Sequence, residues 1–316
     1  MKNLKIYRVV LGLGMLFTSS IHAQQEQMYS HYDYNSLAIN PAYAGSKRTF
    51  VANSLARMQW NSLPGAPRYY NLGMHTPLVG DFAGGLNIQT GKIGKFKVAS
   101  PLTETQIALS GAYNKQVADN VRVAVGLRFG LYNYVANLSQ LQLEKPGDQV
   151  FNNNDYNLTA PMAGFGVYVY GNNYFAGVSA PRMVFVPADQ RNNNVNVAYA
   201  ATTQYYAVAG YVIDAGPDWK IKPTTQIKIA NGVPIEADFN LHAIYMDDFS
   251  LGAFIRTGGE GGIMAMANVN PNFTILYSYD TRWAPLNQYV RSSHEFGIQY
   301  MIPYVSNSRV RAPRYF

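Results

Sequence analysis

The sequence predicts an all-β chain closed into a transmembrane barrel of about 14 antiparallel strands. Three observations carry that prediction. Charged residues make up only 14% of the 316 residues, against about 25% in a soluble domain, yet no apolar run reaches the roughly 20 residues that a transmembrane helix needs. Segment after segment alternates apolar with polar or tiny residues, the pattern of a strand with two different faces. The connections between these segments are short and long by turns, as in a barrel with tight turns at one mouth and loops at the other. A soluble sandwich would alternate too. An export signal, and tyrosines near strand ends where interfacial girdles sit, select the outer-membrane barrel with short periplasmic turns and longer extracellular loops.

At the N-terminus Lys2, Lys5 and Arg8 precede an uninterrupted apolar stretch over 9–17, after which Thr18, Ser19 and Ser20 lead to Ile21, His22 and Ala23. This is the pattern of a secretory signal peptide over 1–23, cut after Ala23, and its apolar core is too short to span a bilayer. Removing it takes away three basic and no acidic residues, which lowers the formal charge from +7 to +4. With no basic run beside interleaved aromatics, no nucleic-acid partner is expected. The chain has no cysteine, so a disulfide scaffold, a Cys-ligated metal site and a thiol nucleophile are excluded. Export without cysteine suits an integral protein of the bacterial outer membrane, with the lipid bilayer itself as one partner.

Residues 24–48 come next, a stretch of Tyr, Asn and small residues that is long for a lead-in to the first strand. Two readings stand open for it: a periplasmic tether and a plug folded into the lumen. The barrel follows over 49–301, with strands expected at 49–60, 67–77, 82–90, 103–116, 121–132, 164–170, 173–180, 197–213, 219–230, 233–243, 249–257, 261–268, 272–280 and 292–301. Over 121–131 the odd positions are Val121, Val123, Val125, Leu127, Phe129 and Leu131, while the even ones include Arg122, Ala124, Gly126, Arg128 and Gly130. The same alternation sets Phe239 and Leu241 against Asp238, Asn240 and His242, Ile227 and Ile229 against Gln226 and Lys228, and Ile275 and Tyr277 against Thr274 and Ser278. Turn residues at Asp119-Asn120, Gly171-Asn172, Gly216-Pro217 and Asn270-Pro271 follow even-numbered strands. The longer connections, near 91–102, 133–163, 181–196 and 281–291, follow odd-numbered ones, which puts both ends of the barrel on the periplasmic side. The tail, 302–316, is then periplasmic.

In hydrocarbon every backbone N–H and C=O needs an internal partner, and a closed barrel supplies one without a free edge. Gly126, Gly130 and Gly252 on the inner face leave room for a plug or for charged neighbours, and Arg122 or Lys228 is expected to pair with Glu236 or Asp238 across neighbouring strands. Little in the chain suggests chemistry. His22, His31, His75, His242 and His294 stand in no metal-binding frame, and neither a nucleophile elbow nor a phosphate loop occurs. Gly258-Gly259-Glu260-Gly261-Gly262 reads as a tight turn between strands. His294 and Glu295 are adjacent in a strand and so point to opposite faces, which argues against a shared catalytic site. No enzyme, metal or cofactor is expected.

What alternation does not explain carries a resemblance. Tyr29-Ser30-His31-Tyr32 and Asn40-Pro41-Ala42-Tyr43-Ala44-Gly45 are followed by Arg57-Met58-Gln59-Trp60, Gly65-Ala66-Pro67, His75-Thr76-Pro77-Leu78 and Lys92-Ile93-Gly94. Later come Phe175-Ala176-Gly177-Val178-Ser179-Ala180-Pro181, Gly210-Tyr211, Tyr277-Ser278-Tyr279-Asp280, Ser293-His294-Glu295 and Pro313-Arg314-Tyr315-Phe316. In this order, over the whole chain after the signal, the blocks resemble the PorP/SprF family, outer-membrane proteins of the type IX secretion system of Bacteroidota. The resemblance implies a barrel needed for protein export that partners the periplasmic ring lipoprotein and associated proteins, and in some paralogues one cognate large surface adhesin, gliding adhesins included. It brings no catalytic residues.

The motif positions Tyr29, Ser30, Asn40, Pro41, Ala42, Gly45, Gln59, Trp60, Gly65, Ala66, Pro67, His75, Asp280, His294 and Glu295 are therefore the candidates for plug or partner contact. In the tail, Arg309, Arg311, Arg314, Tyr315 and Phe316 combine arginine with aromatics, the composition of an interface anchor, and are expected to dock a periplasmic partner. The competing reading gives Phe316 a part in barrel assembly. The 133–163 loop, with Pro146-Gly147-Asp148 and Asn152-Asn153-Asn154, is expected to face outside. Three function classes result: a secretion component, which alone accounts for the ordered blocks; a passive channel for small or hydrophobic solutes; and a hydrolase built from scattered side chains.

Overall fold

The computed structural model describes residues 28–94, 101–137, 155–186, 202–231, 233–283 and 292–302. The expected signal peptide over 1–23, the Pro146 and Asn152 stretches of the expected 133–163 loop and the tail over 303–316 lie outside them. The strands are β1 (Phe50–Met58), β2 (Arg68–Pro77), β3 (Phe82–Ile93), β4 (Leu102–Ala118), β5 (Val121–Ala136), β6 (Tyr156–Tyr170), β7 (Tyr174–Val184), β8 (Gln204–Tyr211), β9 (Ile213–Asp214), β10 (Trp219–Ala230), β11 (Glu236–Tyr245), β12 (Phe249–Arg256), β13 (Glu260–Asn270), β14 (Phe273–Arg282) and β15 (Ser293–Ile302). β9 continues β8 past Val212, and both pair with β10, so the fifteen segments form fourteen barrel strands.

Each strand pairs antiparallel with its sequence neighbours, and β1 closes the ring against β15 from Phe50↔Ile302 to Met58↔His294. Among the described strands no edge is left, which is the condition for a sheet to sit in hydrocarbon. At the mouth that holds the start of β1 and the end of β15, no connection exceeds four residues. The opposite mouth carries the five longer connections, 59–67, 94–101, 137–155, 185–203 and 283–292, together with the short ones 231–235 and 257–259. This asymmetry makes the first mouth periplasmic and the second extracellular.

Period-2 alternation decides which side chains meet lipid. In β5, Val125, Leu127, Phe129 and Leu131 point outward and are exposed, while Ala124 and Arg128 are buried in the interior. Phe239 and Leu241 alternate in the same way with Asp238, Asn240 and His242 in β11. Strand β6 starts at Tyr156, eight residues before the expected 164, so residues 156–163 are wall and not loop. The reason is an inverted pattern: here Asn157, Thr159 and Pro161 face out and Leu158, Ala160 and Met162 face in. Apolar residues inside and polar ones outside mark a stretch of wall beyond the lipid, where the usual signal is lost.

Residues 28–49 lie inside the barrel. They form a turn over 30–34, a one-turn helix α1 (Ser36–Ile39) and a 3-10 turn over Pro41–Tyr43. Leu37, Ala42 and Ala44 have no exposed surface.

Candidate functional site

The barrel interior offers two different surfaces to this segment. Strands β10 to β15 and β1 contribute charge. Arg57 donates two hydrogen bonds to Asp280, at 2.8 and 3.1 Å, and its guanidinium stands 3.5 Å from Glu295. The Glu295 carboxylate accepts the N–H of Ser30 at 3.0 Å and of His31 at 2.9 Å, so one buried anion holds two consecutive main-chain donors. Asn240 donates to the Ser30 carbonyl at 3.1 Å and Asn53 to the Tyr34 carbonyl at 2.6 Å. Lys222 reaches the Asp33 carboxylate at 2.6 Å and lies 5.0 Å from the centre of the Tyr34 ring. The Tyr32 hydroxyl shares a 2.8 Å hydrogen bond with Thr224. On the extracellular side of the same wall, Arg256 binds Asp238 at 2.6 Å and Glu260 at 2.7 Å, with Arg282 3.6 Å from Glu260. Each buried charge in these groups thus faces an opposite one, as a low-dielectric interior requires.

Strands β3 to β8 offer mainly small and aromatic residues, with Arg128 as a buried cation among them. Asn40 caps the 3-10 turn, its side-chain oxygen accepting the Ala42 N–H at 2.9 Å and its amide donating to the Val167 carbonyl at 3.0 Å. Pro41 and Ala42 then rest directly on β5: a Cβ at Gly126 would stand 2.3 Å from the Ala42 nitrogen and 2.5 Å from the Pro41 carbonyl carbon. Only glycine leaves that approach open. Tyr43 meets His75 edge-on at 5.3 Å and Tyr168 at 5.5 Å, inside a cluster with Leu37, Ala83, Ala112, Phe175 and Val208. Gly45, at φ +75°, donates its N–H to Nδ1 of His75 at 3.1 Å. Arg128 donates to the carbonyls of Leu37 and Ala38, and Asn114 donates to that of Ala44 at 3.0 Å. Thr49 meets the Ile302 carbonyl at the periplasmic mouth. Since Ser30 and His31 sit on Glu295, near the extracellular start of β15, the segment runs through the lumen lengthwise.

The family-motif positions therefore divide into three groups. Tyr29, Ser30, Asn40, Pro41, Ala42 and Gly45 belong to the lumen segment, and His75, Asp280 and Glu295 belong to the wall that receives it. Gln59, Trp60, Gly65, Ala66 and Pro67 form the β1–β2 connection, tied by Gln59 N–H to the Pro67 carbonyl at 3.0 Å and by Trp60 N–H to the Ser293 hydroxyl at 3.3 Å. His294 stands apart on the outer face, sharing a 2.9 Å hydrogen bond with Tyr277, so it and Glu295 serve opposite sides of the wall. Arg309, Arg311, Arg314, Tyr315 and Phe316 lie outside the described residues.

Of the expected ion pairs, Lys228 meets Glu236 at 3.1 Å. Asp238 pairs with Arg256 instead, and Arg122 donates to the Gln116 side chain at 2.7 Å by the periplasmic turn. Arg122 lies on β5 and Asp238 on β11, far apart around the ring, and strand pairing alone could not reveal that distance. Asp33, Asn53, Arg128, Lys222, Thr224 and Asn240 carry the interior contacts without standing in a motif block. Their one signal is a polar residue at an inward-facing position.

A family model described as "Type IX secretion system membrane protein PorP/SprF" matches residues 21–300. No curated protein matches the chain. Among solved structures it is similar to the outer membrane protein Omp33 of Acinetobacter baumannii, at 8% identity and a TM-score of 0.46, over 81% of this chain and 98% of that one. A KdgM porin (8% identity, TM-score 0.39, 80% and 99% covered) and BamA of Haemophilus ducreyi lacking POTRA domains 1–3 (10%, 0.43, 81% and 70%) are also similar.

Proposed function

The chain belongs to the PorP/SprF family of type IX secretion system membrane proteins, and from that membership we propose that this outer-membrane barrel works as a closed docking platform rather than as a solute channel. Family and fold are those of a membrane secretion component and not of an enzyme. The observation that carries the reading is the filled lumen: residues 28–49 lie buried against both walls, where a passive channel would need an open path. A barrel closed in this way acts through what it binds at its mouths. On the periplasmic side the partners are the ring lipoprotein and associated proteins, taken by the tail with Arg309, Arg311, Arg314, Tyr315 and Phe316. On the extracellular side the partner is a cognate secreted adhesin of the gliding type.

The test is an affinity pull-down of the tagged protein from detergent-solubilised outer membranes, with bound proteins identified by mass spectrometry. Ring lipoproteins or one large adhesin are expected, and truncation at residue 302 should remove the periplasmic partners while the barrel stays inserted. Recovery of the barrel alone across several mild detergents, together with steady conductance in planar bilayers, would overturn the reading in favour of a channel.

A further inference from the structure

Two cations face each other on the outside of the barrel. Arg68, at the extracellular start of β2, lies directly opposite Lys92, near the extracellular end of β3, and both share the outward face with Tyr70 and Thr90. Both are exposed, and neither side chain has a hydrogen-bond or ion-pair partner among the described residues. Like charges directly opposite each other destabilise a strand pair. The row offers no relief, since it continues with Met58 on β1 and Thr103 on β4. Glu104, opposite Gly91, belongs to the inner face, where Arg182 binds it. The flanking connections, 59–67 and 94–101, contain no acidic residue in their sequence. They are tied to each other by the Gly94 N–H on the Gly65 carbonyl at 2.8 Å, which joins two motif blocks that docking at the mouths leaves without a role.

The height of this pair decides what can neutralise it. At the other end of β3, Phe82 packs on Tyr113 with ring centres 5.1 Å apart and marks the periplasmic girdle. Lys92 lies ten residues further along the strand. That is roughly 33 Å of strand, or about 25 Å along the membrane normal at a tilt of about 40°, the full height of the apolar band. Tyr70, 43% exposed, stands one outward step below Arg68, as an aromatic of the opposite girdle should. The pair is therefore at the level of the outer-leaflet headgroups. Beside it, Ala56 lies opposite Tyr70 and borders a groove of about 620 Å³ on the lipid face, lined by Tyr277, Phe296 and Ile298 and reaching Phe249 toward the periplasm.

We propose that Arg68 and Lys92 bind the phosphate of an outer-leaflet lipid, which supplies the negative charge that the strand pairing lacks, while an acyl chain of the same lipid lies in the groove beside Ala56. The guanidinium presents a planar fork to two phosphate oxygens, and the ammonium acts as a point charge on the group. Free phosphate has no acyl chain to hold it there. The site lies on the outer face and does not depend on what docks at either mouth.

The test is a lipid titration of the purified full-length protein in detergent, read by native mass spectrometry. Dimyristoyl phosphatidylglycerol is the probe, and dimyristoyl phosphatidylcholine, with the same chains and no net charge, is its comparison. Each cation at a charged lipid surface is worth about fivefold in affinity, so the anionic lipid should bind roughly thirtyfold tighter. Arg68→Gln and Lys92→Gln should each remove about fivefold, and the double variant the whole preference. Lys115→Gln, at an exposed periplasmic cation paired with Asp81, should change nothing. Lys92→Glu places a carboxylate opposite Arg68, so it should abolish the preference and raise the thermal midpoint measured without anionic lipid. All four changes are at exposed side chains, so the variants are expected to fold. Equal affinity for the two lipids, a preference that survives the double variant, or an equal loss in Lys115→Gln would overturn the proposal. Displacement of the probe by millimolar inorganic phosphate would overturn it too, in favour of a site for the free anion.

Discussion

Residues 28–35 and 36–49 share one lumen, yet different forces hold them. The first stretch is tied by Glu295, Lys222, Thr224, Asn240 and Asn53, two of them buried charges, and packs Tyr29 and Tyr34 against Leu55, Tyr69, Met266 and Leu276. The second rests Pro41 and Ala42 on a glycine, buries Leu37 and Tyr43 among aromatics, and is capped by Asn40. A hydrogen bond to a charged group contributes about 1.5–3 kcal/mol, the same order as a fully buried large apolar side chain at about 1.5–3 kcal/mol, so the two ends differ in the kind of contact rather than in its size. One plug thus has an end toward the outside held through buried charge and an end toward the periplasm held more through close packing. The lesson is that degree of burial does not tell what holds a segment; the chemistry of the contact does.

The largest effect is expected where the polar wall is broken from one side. Arg57→Ala leaves Asp280 and Glu295 facing each other in the interior without their cation, a loss of about 3–5 kcal/mol by analogy with other broken buried pairs. Urea unfolding in detergent, followed by tryptophan fluorescence, measures it. Replacing Arg57, Asp280 and Glu295 together by apolar residues of similar volume should be much milder. In planar bilayers Arg57→Ala should conduct where the unaltered protein is silent, and silence in both would break the distinction between the two ends.

The closely packed end is expected to respond to volume, even where no charge is touched. At Gly126 even alanine puts a Cβ 2.3 Å from the Ala42 nitrogen, so Gly126→Val should destabilise by about 1–3 kcal/mol through overpacking and expel residues 41–43 from β5. Asn40→Ala should follow at about 1 kcal/mol, since it removes the cap on Ala42 and the bond to Val167. Limited proteolysis separates the two ends: Gly126→Val should expose sites after residue 36, and Arg57→Ala should expose sites before it.

Much of the wall was legible in the sequence because strand period and lipid make one demand on every residue: Leu127 and Phe129 face out for the same reason as Phe239 and Leu241. The interior was less legible. The tyrosines that suggested interfacial girdles divide between both roles, with Tyr70, Tyr205 and Tyr300 exposed outside, and Tyr43, Tyr132, Tyr168 and Tyr170 buried inside. Composition cannot separate these, because an aromatic ring with one polar atom suits a membrane interface and a packed lumen alike. Lys222 and Asp33 are 189 residues apart, and the closure that brings them together is a property of the whole ring. Gly126 was legible as an inner-face glycine, but that its neighbour is the turn at Ala42 follows only from the path of the lumen segment.

The smallest effect sharpens the comparison most, since it tests the end held by Glu295 and Lys222 without removing a charge. Tyr32→Phe deletes one hydroxyl and leaves the Thr224 partner in place, at an expected loss of about 0.5–1.5 kcal/mol. If residues 28–35 open as a unit of their own, that loss appears as faster hydrogen exchange at the Ser30 and His31 amides, both on Glu295, by about tenfold at most. The amides of Ala42 and Gly45, bonded to Asn40 and His75, should keep their protection. Acceleration of all four together would mean that the segment opens only as a whole. The difference between its ends would then be one of chemistry without a difference in motion.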